Sequence, residues 1–145
     1  MIKLYFVLSE IEVEDKEDVF VAIKKLSKLL NILNLPRQLY LKILLAFSEI
    51  TNLAKCDSIR SDSINKIKYV LKKDNDYNYL TIIIESSLAA EGIACNESLH
   101  SNQYGMIDIV NVLVDCLSIE HPYPGSVNYS LDVKINNDLD VNQDI

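Results

Sequence analysis

Glu49 and Asn52 stand three positions apart in the segment FSEITNLAKC. If that segment is helical, the two side chains share one face. A carboxylate there can act as a general base, and an amide beside it can help hold a metal ion. Gln38 and Lys42 extend the same row toward the N-terminus, with Leu45 filling the gap. A plain solvated face gives the same pattern, because Glu and Asn recur on exposed helix faces by chance. The other chemistry-bearing residue types do not gather. Cys56, Cys95 and Cys116 are widely spaced and form no C-x-x-C pair, and His100 and His121 are scattered. That is no zinc-ligand spacing, so the thiols read as reduced, with Cys116 in the core. His100 reads as a plain loop residue.

The element that must position Glu49 and Asn52 is Leu35 to Cys56. Pro36 suits a first helical turn, where its missing N–H costs nothing. Leu39, Ile43, Ala46, Phe47, Ile50 and Leu53 recur at steps of three and four, which makes one apolar helical face. Leu41, Leu44 and Leu45 widen it. The expectation is a central, mostly buried helix with one polar row.

The chain has 145 residues, 49% apolar and 24% charged. Those values suit one globular domain, placed here at residues 1–135. The formal net charge is −7 and the pI about 4.7. Both work against a nucleic-acid surface, which needs basic groups to displace counterions. The lysine groups Lys24, Lys25, Lys28 and Lys66, Lys68, Lys72, Lys73 are sparse and read as solvated faces. No apolar run reaches the length of about 18 residues that a membrane-spanning helix needs. The opening MIKLYFVLSE is a short apolar run with acidic residues soon after, unlike a signal peptide. The chain therefore reads as cytoplasmic, with neither nucleic acid nor membrane as partner.

Residues 2–13 alternate Ile2, Leu4, Phe6, Leu8 against Lys3, Tyr5, Val7, Ser9, the pattern of a strand with one strongly apolar face. Asp15 can cap a helix whose first turn holds Glu17 and Asp18, near the positive end of its dipole. Val19, Ala22, Ile23, Leu26, Leu29, Leu30 and Leu33 mark that helix's buried face. The short break at Asn34 to Pro36 makes the two helices antiparallel neighbours. Residues 57–63 read as a loop. Ile64 to Lys73 and Tyr79 to Glu85 form a hairpin around the turn cluster Asp74, Asn75, Asp76, with the second strand interior to a sheet. Residues 86–104 read as a long loop. Gly105 to Leu117 reads as a helix, Ser118 to His121 as the start of a strand, and Pro122 to Gly125 as a turn. Val127 to Ile135 alternates as a half-buried strand, and residues 136–145 form an Asn/Asp-rich tail expected to be disordered. Strands segregate from helices in this order. The fold class is therefore α+β: a two-layer sandwich with a mostly antiparallel, mixed sheet and helices on one face.

This order and four stretches of sequence, across residues 2 to 135, resemble the GHKL ATPase superfamily, most closely the bacterial anti-sigma-factor serine/threonine kinases. FSEITNLAKC looks like that family's helix bearing Glu and Asn. LTIIIESS looks like the strand entering its adenine-reading loop. YGMIDIVNVLVD looks like the glycine-led helix after the ATP lid, and PYPGSVNYSLDVKI like the closing turn and strand. The resemblance implies Glu49 as the catalytic base, Asn52 as the magnesium ligand, and Glu85, Ser86 and Gly105 at the nucleotide, with Mg-ATP as cofactor. It also implies a sigma factor or an anti-sigma antagonist as protein partner, and a homodimer.

The chain departs from that pattern where the nucleotide is held. The family spaces Glu and Asn four apart, and one helical step turns a side chain by roughly 100°. Where the family has Asp-x-Gly-x-Gly, this chain has Glu85-Ser86-Ser87-Leu88-Ala89-Ala90, and it has three glycines in all. A Cβ at those positions blocks the close approach of backbone to phosphate. The expected function is therefore a non-catalytic regulatory protein of GHKL fold that binds another protein and needs no cofactor. Two alternatives stay open: an active serine/threonine kinase with divergent loops, and an unrelated small α/β inhibitor or immunity-type module.

Overall fold

A computed structural model of the chain describes residues 4–56, 64–73, 77–87 and 107–135. Strand β1 (Leu4–Glu12) leads into helices α1 (Lys16–Ile32) and α2 (Arg37–Cys56), then strands β2 (Ile64–Lys73) and β3 (Asn78–Ser87). Helix α3 is described over residues 107–113. Strands β4 (Cys116–Glu120) and β5 (Ser126–Ile135) follow. The strands form one sheet in the order β1-β2-β3-β5-β4. Every neighbouring pair is antiparallel. The fold is the expected α+β two-layer sandwich, with the described strands wholly antiparallel rather than mixed.

The start of α1 follows from two acidic side chains. Asp15 adopts an extended backbone and its side chain accepts the Glu17 N–H, while Asp18 reaches back to the backbone N–H groups of Glu14 and Asp15. This reciprocal cap satisfies donors that helix geometry leaves open. Ala22, Leu26 and Leu30 then bury one stripe against the sheet. Asn34 takes a left-handed turn (φ 56°) between the helices, a conformation that Asn tolerates better than most residues.

Helix α2 buries Ile43, Ala46, Phe47 and Ile50. The sheet answers with Ile67, Tyr69, Leu80, Ile82, Ile84, Tyr129 and Leu131, all on the face toward the helices. Each such side chain contributes about 1.5–3 kcal/mol by leaving water. Tyr69 ties the layers together: its ring lies 6.2 Å from that of Phe47, and its hydroxyl donates to the Ala22 carbonyl at 2.6 Å.

Four expectations need correction. Helix α3 does not run to Leu117. The Val114 N–H still bonds Val110, but the Asp115 N–H turns to the Asp132 carbonyl of β5, so Cys116 and Leu117 are strand. Cys116 is exposed rather than in the core, because it faces Asp132 across β4–β5 on the side away from the helices. Helix α2 is less buried than its composition suggests, with Leu41 and Leu45 each about half exposed. The apolar face of β1 is covered only in part: Leu8 packs against the core, Leu4 and Phe6 stay about half exposed, and a bulge breaks the register between Val7 and Ser9. The loop at 57–63, the turn at 74–76, most of the loop at 86–104, and the tail lie outside the described residues. Among the described residues no helix is long and apolar enough to cross a membrane.

Candidate functional site

Helix α2 places Glu49 and Asn52 on its outer side, Glu49 half-buried and Asn52 exposed. Gln38, Lys42 and Leu45 continue that row in the open. Thr51, one position before Asn52, turns inward, and its hydroxyl bonds the Ser48 carbonyl at 2.9 Å. The chemistry-bearing row of the sequence is thus a helix surface, open along most of its length.

Ser86 and Glu85 are neighbours in sequence and point to opposite faces of β3. Ser86 pairs in register with Ile64 and Val127 and is buried on the helix side. Its hydroxyl has no hydrogen-bond partner among the described residues. Glu85 points to the other face and pairs with Lys68 at 3.1 Å. Lys68 also approaches Glu10 at 4.0 Å. The sheet therefore lies between Glu85 and α2. Gly105 lies outside the described residues.

The face of the sheet that no described helix covers carries a second set of polar groups that no local spacing announces. Asp132 of β5 accepts from the Lys72 ammonium at 3.1 Å and from the buried Thr81 hydroxyl at 2.6 Å. Lys72 also stands 5.8 Å from the Tyr5 ring. Lys134 stands 3.9 Å over the Tyr77 ring, close enough for cation–π attraction. Asp115 accepts the backbone N–H of Lys134. Lys72, Lys73, Tyr79, Asp115, Cys116, Asp132 and Lys134 line a shallow cavity of about 440 Å³. These residues come from β2, β3, β4, β5 and the turn before β4. The only sequence signal for them is the polar half of each strand's alternation. Three lysines against two aspartates make a polar recess whose charges are in part already paired. Among the described residues no three His, Cys, Asp or Glu side chains gather in a way that could hold a metal ion.

Comparison with known proteins adds a fold and no family. No family model matches the chain, and no curated protein matches it. Among solved structures, the chain is similar to one described as the crystal structure of the SiaB–SiaC complex from Pseudomonas aeruginosa. The match covers 89% of this chain and 91% of that one, at 9% identity and a TM-score of 0.51. At that identity the likeness shows the fold alone. The assignment to the GHKL ATPase superfamily is therefore corrected. No model of that superfamily matches, and the similar structure named above is described as a complex of SiaB and SiaC. The physical reason is that an element order and a two-layer arrangement are shared by unrelated proteins, so they cannot carry a family by themselves.

Proposed function

We propose that this protein is a non-catalytic regulatory protein that works by binding another protein, in a partner-switching role. The observation that carries the reading is the division between Glu49 and Glu85. The nucleotide site that the sequence suggested would need both to reach one ligand. Glu49 belongs to the helix layer, while Glu85 is ion-paired with Lys68 behind the sheet.

Two further features support it. Leu41 and Leu45 lie one turn apart on the outer side of α2, half exposed, beside Gln38 and Lys42. Apolar anchors within a polar surround are the usual anatomy of a protein interface. A structural neighbour, the SiaB–SiaC structure, is itself solved as a complex of two proteins. The net charge of −7 favours a partner with a basic face, through long-range steering. A sigma factor or an anti-sigma antagonist is the class of partner the proposal names, and the reading requires no cofactor.

Two measurements test it. Millimolar Mg-ATP should leave the melting temperature unchanged. A nucleotide present at 100 times its dissociation constant would stabilise the fold by about 2.7 kcal/mol, and such a magnesium-dependent shift would overturn the non-catalytic reading. A photo-crosslinker placed at Leu45 should capture one defined protein in the native cell. The Leu41→Asp variant, folded by circular dichroism, should lose that capture. An unchanged set of captured proteins would remove α2 as the binding face.

A further inference from the structure

The first half of β1 has the side chains of an interior strand and the position of an edge strand. Among the described strands, the sheet order leaves β1 with a neighbour, β2, on one side only. Tyr5 and Val7 lie opposite Lys72 and Val70 on the face away from the helices, while Leu4 and Phe6 lie opposite Lys73 and Leu71 on the helix side. All four are large, apolar and open: Leu4 is 47% exposed, Tyr5 59%, Phe6 48% and Val7 59%. Strands that are apolar on both faces belong inside sheets. An edge with unpaired backbone groups and no charge is a template for another strand.

The other edges of the sheet are guarded. The second half of β1 carries Glu10 and Glu12, and the bulge between Val7 and Ser9 separates it from the first half. Strand β4, at the far edge, is five residues long and ends on the exposed Glu120. Short length, charge and bulges are the devices that keep edges from pairing. Leu4 to Val7 has none of them.

We propose that this segment pairs with the same segment of a second copy, antiparallel about a two-fold axis, and so joins two sheets into one of ten strands. The charge pattern admits a second copy as occupant and selects the register. With Phe6 opposite its own counterpart, Tyr5 faces Val7 and Leu4 faces Leu8, and no carboxylate meets another. Sliding the pair toward Ile11 would set Glu10 against Glu12 twice. A parallel pair would stack each acid on its own copy. Like charges directly opposite across strands are destabilising. The segment is thus self-complementary in one arrangement, as an isologous interface requires.

Sedimentation equilibrium of the full chain at tens of micromolar should give twice the chain mass of 16.5 kDa. The doubly substituted chains Tyr5→Lys, Val7→Lys and Tyr5→Glu, Val7→Glu should each sediment at the single-chain mass with unchanged circular dichroism. Mixed together they should recover the doubled mass, because lysine at one position then faces glutamate at the other. A wild-type chain of single mass overturns the proposal and leaves the edge to a strand of a different protein. A doubled mass that survives in both variants, or fails to return on mixing, overturns pairing through Leu4 to Val7.

Discussion

Tyr69 shows what one buried polar atom does in this core. Its ring packs near Phe47 and its hydroxyl donates to the Ala22 carbonyl, which binds the sheet to α1. Burial pushes the phenol well above the ordinary tyrosine pKa, since the charged form would have to leave water. The folded state therefore keeps its proton longer than the unfolded state does. The stabilisation is complete below a pH of about 10, where the unfolded tyrosine begins to ionise. Above that pH it is lost, at about 1.4 kcal/mol per pH unit. Tyr69→Phe keeps the ring and loses the bond, at a cost of about 1 kcal/mol near neutral pH. Its alkaline decline should be shallower than that of the wild-type chain, so the two stabilities converge as pH rises. Urea titrations of both proteins over an alkaline series read this directly. The chain has eight tyrosines, so the comparison with the variant isolates Tyr69. Parallel declines would mean that Tyr69 does not set the alkaline limit.

At the scale of elements, legibility depended on whether a boundary was written in local chemistry. The start of α1 was legible because Asp15 and Asp18 are a cap in their own right, and the structure shows both halves of it. Asp15→Ala should cost about 1 kcal/mol, read as a lower urea midpoint with unchanged slope. Asp15→Ser should restore most of it, since the serine hydroxyl caps as well. An Ala variant as stable as the parent would mean that packing alone holds the helix start. The end of α3 was not legible. Ile107, Val110, Val114 and Leu117 keep a helical period, yet Asp115 bonds to β5 and the chain becomes strand at Cys116. There a distant strand outcompetes local periodicity. The same limit hid the recess around Asp132, whose lining residues come from strands far apart in sequence. The Glu49–Asn52 row was legible as a helix face. What it faces is set by layers that no spacing encodes.

The described residues have one core and a second sheet face that no described helix covers, and this asymmetry is their least legible property. Strand β3 reads YLTIIIE, apolar on both faces and therefore interior. It is interior in the plane of the sheet, between β2 and β5, but the described helices cover only one side of it. Ile82 is fully buried toward them, while its neighbour Ile83 points the other way and is partly open, level with Lys68 and Ser130. Two identical residues, adjacent in one strand, thus sit in different solvents. Ile82→Ala leaves a cavity in close-packed surroundings and should cost about 2–5 kcal/mol. Ile83→Ala gives up only part of a contact surface, so at about 25 cal/mol per Å² the loss should be under half as large. Denaturant midpoints of the two variants in the isolated protein measure the difference. Equal, large losses would show that the second face is packed as tightly as the first, and the two-layer account would have to give way to a sheet covered on both sides.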